Sequence, residues 1–216
     1  MKIGVLGTGT VGLTIATKLA ELRHEVTVGS RSADNEDAAK WAGEAGGDAS
    51  SGTFADAAGR AELVFNCTSG SHSLEALEMA GAENLDGKVL VDVANPLDFS
   101  RGMPPTLSIC NDGSLGERIQ AAFPGARVVK SLNTVNAAVM TDPGSLSEPT
   151  NIFVCGNDGP AKEQVRELLE DFGWEAEAVL DLGDITAARG AEMYLPLWLR
   201  MMGAVGSAAF NIRVVR

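Results

Sequence analysis

Basic charge is scarce in this chain: 17 Lys and Arg residues stand against 29 Asp and Glu, a formal net charge of −12 at pH 7. That balance argues against nucleic acid or an anionic membrane surface as a partner. It also requires any anionic ligand to be captured by local basic groups, because the global field repels it. Cysteine is equally sparse. Cys67, Cys110 and Cys155 are odd in number and widely spaced, with no Cys-x-x-Cys pair and no Cys/His cluster. No disulfide framework and no metal site is indicated, and a reducing cytoplasm is the simpler setting. No run reaches the roughly 18 to 20 apolar residues that a membrane-spanning helix needs. Lys2 precedes an apolar stretch, as in a signal peptide. Four glycines and three threonines between Gly4 and Thr14 make a poor hydrophobic segment, and a strand–turn–helix explains them better.

Glycine is plentiful instead, at 25 residues, in a chain that is 45% hydrophobic and only 5% aromatic. The first twelve residues are the most informative. Ile3 to Leu6 form a short apolar run of strand length, Gly7, Gly9 and Gly12 follow at once, and Leu13 to Leu22 continue as a helix former. In a Gly-x-Gly-x-x-Gly turn of this kind, Gly7 allows the tight turn, Gly9 lets a pyrophosphate approach the backbone, and Gly12 allows close packing of helix on strand. The free N–H groups and the dipole at the helix start would hold the phosphates. The competing interpretation is a glycine-rich turn in an ordinary α/β protein; the order of strand, glycines and helix argues against it.

The next strand, Glu25 to Gly29, decides which dinucleotide is expected. NAD-selective sites place Asp or Glu near its end, about 20 residues on, to bind the ribose 2′-hydroxyl. Here the chain reads Gly29-Ser30-Arg31-Ser32. Arg31 offers a guanidinium fork, and Ser30 and Ser32 offer hydroxyls, a natural set for a phosphate monoester. NADP(H) is therefore expected over NAD(H), the alternative being that Arg31 is one more solvated charge.

Strands and helices then alternate, which predicts an α/β fold: a Rossmann-type, doubly wound and mainly parallel sheet with a short C-terminal helical segment. The length of 216 residues suits one such domain with a small appendage. The expected boundaries are 1–185 for the NADP-binding part and 186–216 for a helical segment that closes the acceptor site. Helices are expected over 34–45, 54–58, 73–80, 115–122, 161–172 and 187–210, and strands near 49–52, 61–67, 88–94, 127–132, 151–155 and 175–180. Residues 95–111, with Pro96, Pro104 and Pro105, read as a long irregular loop, which is often functional.

Ligands of open α/β sheets lie beyond the carboxyl ends of the strands. Three polar clusters fall there: Thr68-Ser69-Gly70-Ser71-His72, Asn95-Pro96, and Asn133-Thr134-Val135-Asn136. Their small hydroxyl and amide groups suit a nicotinamide ribose or carboxamide. Each also has a plain structural explanation: Ser71 fits an N-cap, and Asn95-Pro96 fits a turn start. Histidine is the residue type best suited to acid–base work near neutral pH, but His72 has no companion acid nearby, so no catalytic acid or base is assigned. The only tyrosine, Tyr194, lacks the Tyr-x-x-x-Lys partner of short-chain dehydrogenases. Hydride transfer needs neither group when the acceptor stabilises charge itself, as a flavin or deazaflavin does.

Gly7-Thr8-Gly9-Thr10-Val11-Gly12, Gly29-Ser30-Arg31, Asn95-Pro96-Leu97, Lys130-Ser131-Leu132-Asn133-Thr134 and Leu195-Pro196-Leu197 occur in this order. Together they resemble the NADPH-dependent coenzyme F-420 (F420) reductase family over nearly the whole chain. The same domain is similar to the cytosolic reductase portion of membrane metalloreductases. The resemblance implies hydride transfer between the nicotinamide C4 and the C5 of a deazaflavin, in a small cytoplasmic enzyme that is commonly a homodimer. It implies that Thr8, Gly9, Thr10 and Val11 bind the pyrophosphate and Ser30 and Arg31 the 2′-phosphate, with Thr68, Ala94 and Ala137 near the nicotinamide half. Ser69, His72, Asn95 and Pro96 join this cofactor set, and Asn133, Thr134 and Phe210 lie near the acceptor. The chain departs from the family where it carries Asn133, a position at which deazaflavin-using members most often have His, and in Val135-Asn136, which replaces an Ile-Pro pair. Asn at that place occurs in the flavin-using metalloreductases, so the implied acceptor is coenzyme F420 or a related flavin. Two alternatives stay open: a non-enzymatic NADP(H) sensor, and a reductase of another small molecule such as a ferric chelate, carbonyl or imine. The carbonyl and imine reductases of this fold carry a long helical C-terminal domain, for which the roughly 30 residues after 187 are too few.

Overall fold

The computed structural model describes residues 1–215. Its first half runs β1 (Lys2–Leu6), α1 (Thr10–Glu21), β2 (Glu25–Ser30), α2 (Glu36–Ala45), β3 (Ala49–Thr53), α3 (Phe54–Arg60), β4 (Leu63–Asn66), α4 (Ser73–Ala80), α5 (Ala82–Leu85) and β5 (Val89–Asp92). A hairpin of β6 (Leu97–Asp98) and β7 (Thr106–Leu107) follows, then α6 (Leu115–Ala122), β8 (Arg127–Ser131) and α7 (Ala137–Thr141). The chain ends with β9 (Ile152–Gly156), α8 (Gly159–Asp171), β10 (Val179–Asp181), α9 (Ala188–Met193) and α10 (Leu195–Val205).

Eight strands form one sheet in the order β10-β9-β8-β5-β4-β1-β2-β3. All neighbours are parallel except β8 and β9, which pair antiparallel with Val129 opposite Gly156. The order reverses at β1, which has β2 on one side and β4 on the other. Period-two alternation divides the apolar residues between two cores. Ile3 and Val5 face α1, α2 and α8 in a core with Ile15, Leu19, Trp41, Val165 and Leu168. Leu6, Val64 and Leu90 face α3, α4 and α6 with Ala57, Leu77 and Ile119. Burial on both faces is why these strands read as continuous apolar runs rather than as alternating ones.

The glycine turn is dictated by space. Gly7 has φ +120, a conformation L side chains rarely adopt, and a Cβ on Gly12 would come within 2.1 Å of the Gly7 carbonyl oxygen. The start of α1 can therefore sit directly on the end of β1 only with both glycines present.

The expected C-terminal helix is shorter than its spacing suggests. It divides at Tyr194 into α9 and α10, and α10 stops at Gly206, whose left-handed φ of 73° ends the helix with its N–H on the Met202 carbonyl at 2.9 Å. Phe210 therefore lies beyond the helix, in an extended tail. That tail returns along the body: the Asn136 amide donates to the Ala208 carbonyl, and the Asn151 N–H to the Ile212 carbonyl at 3.0 Å. The expected segment 186–216 is described up to residue 215; Arg216 lies outside the described residues. The strand expected over 175–180 is a 3-10 turn over Ala176–Ala178 followed by β10. The 95–111 loop contains the β6–β7 hairpin. Among the described residues, no helix is long and apolar enough to cross a membrane.

One charged cluster lies inside the protein. Lys130, at the end of β8, is 1% exposed, and its ammonium lies 2.8 Å from Asp92 Oδ2 on β5 and 2.9 Å from Glu192 Oε1 on α9. It also donates to the Ala94 carbonyl. Burial works against the ammonium, but the two carboxylates outweigh it and hold its pKa above the ordinary lysine value. Glu192 additionally accepts the backbone N–H groups of Leu115 and Gly116, at 2.8 and 3.0 Å, and so satisfies the buried start of α6. Truncating Glu192 removes one of the two carboxylates on the buried ammonium and leaves the buried N–H groups of Leu115 and Gly116 without their acceptor. Glu192→Ala is expected to lower the unfolding free energy by about 3–5 kcal/mol, as read by urea denaturation; a loss no larger than that of a surface salt bridge would show that the cluster does not stabilise the fold.

Candidate active site

The loops after β1 and β4 diverge where the sheet order reverses, and a cleft opens between them as the topology requires. It has two parts, an outer cavity of about 430 Å³ and an inner one of about 240 Å³, which share Cys67, Thr68 and Ser69 as lining.

The outer cavity runs from the glycine turn to the end of β2. Gly7, Thr8 and Gly9 line its floor. A Cβ on Gly9 would meet nothing within 4 Å, in contrast to Gly12, so open space lies directly above the start of α1. The first N–H groups of α1 have no carbonyl one turn earlier to receive them, and Gly9 adds no side-chain cap. A pyrophosphate fits such a place. At the other end, Arg31 is exposed and its guanidinium has no hydrogen bond or ion pair among the described residues. The neighbouring serines are less free than their sequence suggests. Ser30 Oγ donates to the Ser32 carbonyl, and Ser32 Oγ donates to Asp34 Oδ1, each at 2.5 Å. That hydroxyl holds the Asp34 carboxyl below its ordinary range. A carboxylate therefore stands two residues beyond Ser32, and Arg31 is the free polar side chain of the trio. His72 also lines this cavity, with Nδ1 2.9 Å from Ser71 Oγ.

The inner cavity is lined by Val11, Ala94, Asn95, Asn133, Thr134 and Ala137, among others. Asn95 and Asn133 bond to each other reciprocally: Asn95 Nδ2 donates to the Asn133 carbonyl, and Asn133 Nδ2 to Asn95 Oδ1, both at 2.9 Å. Asn133 Nδ2 also donates to the Ala191 carbonyl at 3.2 Å. Backbone carbonyls only accept, so both amides are held in one orientation. Thr134 Oγ1 and Trp198 Nε1 are buried without a hydrogen-bond partner among the described residues, an uncommon state for buried polar atoms. Trp198 lines the cavity and stacks on Phe210, with ring centroids 5.3 Å apart and planes at 20°.

The fold thus gathers most of the sequence-derived site residues in one cleft, but not all. Thr10 faces a separate groove along α1, Gly12 packs beneath the turn, and Pro96 receives Ser108 through its carbonyl. Phe210 reaches the cavity only through its contact with Trp198. The sequence reading missed Trp198, Phe99 at the cavity rim, and the polar chain Asn66–Asp92–Lys130 behind it. A signal for the last was present. Lys130 ends an apolar strand, and a lysine in such a run needs a buried carboxylate.

The family described as NADP oxidoreductase, coenzyme F420-dependent, matches residues 2–96. A crystal structure of a putative F420-dependent NADP reductase from Arthrobacter sp. FB24 superposes with a TM-score of 0.94 at 54% identity, covering 100% of both chains. The F420-dependent NADP reductase of Methanothermobacter thermautotrophicus is 30% identical over 214 residues, which cover 93% of this chain and 89% of that one. The rat metalloreductase STEAP3 is 28% identical over 201 residues, 91% of this chain but only 38% of the metalloreductase. Similarity that runs the length of the reductases, together with a cleft built on the glycine turn, leaves one assignment: the chain belongs to the family of coenzyme F420-dependent NADP oxidoreductases.

Proposed function

We propose that the protein transfers hydride between NADP(H) in the outer cavity and a deazaflavin or flavin acceptor in the inner one. The observation that carries this reading is that the two cavities are adjacent and share Cys67, Thr68 and Ser69 as lining. A dinucleotide laid on the glycine turn with its 2′-phosphate at Arg31 would bring its nicotinamide half towards Thr68, Ala94 and Ala137. The space above Gly9, the helix start and the unpaired guanidinium all suit that ligand. NADPH supplies the hydride when bound. The chain's own part is to hold two flat rings together and to keep water away, which is a matter of orientation rather than acid–base catalysis. The lining offers apolar Val11, Val93, Leu195 and Trp198 for ring faces, with Asn133 and Thr134 at an edge.

Between the two acceptor classes, Asn133 favours neither alone. The full-length likeness to two F420-dependent reductases supports the deazaflavin, and the likeness to a metalloreductase supports the flavin. We also propose a homodimer. α10 carries Leu197 and Val205 at 57% and 61% exposure, and of its eleven residues only Leu195 is buried. Apolar surface of that kind commonly marks an interface. The three free thiols suit a reducing, cytoplasmic setting.

Arg31→Ala is expected to lower the ratio of kcat/KM for NADPH over NADH about 10- to 100-fold, the worth of a charged hydrogen bond. An unchanged ratio would remove Arg31 from phosphate recognition. Purified protein with NADPH should reduce coenzyme F420, FAD or FMN, followed by loss of the reduced nicotinamide absorbance. Deazaflavin turnover alone supports the first acceptor, flavin turnover the second, and none with any of them overturns the reaction. Sedimentation velocity of the full chain should give a dimer at micromolar concentration; a monomer there counts against the α10 interface.

A further inference from the structure

A hydroxyl has one proton to give, and the buried cluster decides where Thr68 gives it. Thr68 Oγ1 lies 2.7 Å from Asn66 Oδ1, and the Thr68 backbone N–H lies 3.3 Å from the same atom. The amide of Asn66 cannot be reversed, because its Nδ2 donates to Asp92 Oδ1 at 2.9 Å and a carboxylate only accepts. Asp92 is paired in turn with the Lys130 ammonium at 2.8 Å. The Thr68 proton is therefore committed inward, to Asn66. Its remaining neighbour, Ser73 Oγ at 3.0 Å, receives no proton from Thr68; it donates to Thr68 or to the Ser69 carbonyl at 3.2 Å. Thr68 lines both parts of the cleft, so what its Oγ1 can offer a ligand there is a lone pair and not a proton.

We propose that Asp92 is a positioning residue that, through Asn66, makes Thr68 an acceptor-only group selecting the carboxamide N–H of the nicotinamide. This rests on NADP lying in the cleft as read above. A ribose hydroxyl can rotate to accept or donate, so an acceptor-only partner does not discriminate for it, whereas an amide N–H can only donate. The same arrangement recurs at Asn133. Both of its amide protons are taken by Asn95 Oδ1 and the Ala191 carbonyl, and Ala191 directly precedes Glu192, the third member of the buried cluster.

Calorimetric binding of NADP+ and of its 3-acetylpyridine analogue, which has a ketone in place of the amide and no N–H, tests this on the full chain. The wild type should bind NADP+ about five- to tenfold more tightly than the analogue, the worth of one neutral hydrogen bond. Thr68→Val should lose that preference. Asp92→Asn, which keeps the Lys130–Glu192 pair, should shrink it to about twofold or less, because two amides can reverse together and free the Thr68 hydroxyl to donate outward. An Asp92 with a merely structural role would weaken both ligands by one factor and leave the preference intact. That result, an unaltered preference in Thr68→Val, or no preference in the wild type overturns the inference. Failure of the wild type to bind either nucleotide overturns the cofactor reading and this inference with it.

Discussion

A lysine ammonium removed from water, where β5, β8 and α9 meet, is the constraint on which the cleft depends. Desolvating an ion costs several kcal/mol and is offset only by close, complete pairing. Lys130 has that pairing in Asp92, Glu192 and the Ala94 carbonyl. Each partner then reaches a second element. Asp92 holds Asn66 and the Ala94 N–H, and Glu192 holds the start of α6. The satisfaction of one buried charge therefore fixes the ends of β4, β5 and β8, which are the strand ends that face the cleft. α9 is joined to the sheet through the same contact.

The cleft divides its work by chemistry. On the proposed reading, phosphate capture falls to backbone groups and one guanidinium, since an acidic chain offers no general attraction to an anion. Ring capture, on the same reading, falls to apolar side chains of the lining, among them Trp198, which Phe210 backs by stacking. Between the two lies a set of small polar residues whose protons are already assigned by their neighbours. Such preorganisation costs the site no reordering when a ligand arrives. It also explains how a site without an assigned acid or base can still be specific.

The parts of the fold that were legible in the sequence are those set by local patterning. β1, the glycine turn and α1 are readable because strand, tight turn and helix start each demand particular residues in order. α4 and α6 are found at the residues their spacing predicts, Ser73–Ala80 and Leu115–Ala122. The C-terminal segment was not legible in the same way. Its composition is helical through Phe210, yet Gly206 ends α10 and the tail is held by Asn136, Asn151 and Asn211, residues whose role depends on tertiary contact. The turn over Ala176–Ala178 is likewise invisible to periodicity.

For the candidate site, the dinucleotide end is the part that can be read along the chain. Gly7, Gly9, Gly12 and Arg31 are neighbours along two consecutive strand–loop units, so their meaning survives without the fold. The tertiary structure alone decided the far end. Thr68, Asn95, Asn133 and Trp198 come from four separate segments and meet only when the fold assembles. It also decided the sense of their hydrogen bonds, because a side-chain amide or hydroxyl is ambiguous in a sequence. Only a carboxylate or carbonyl packed against it removes that ambiguity.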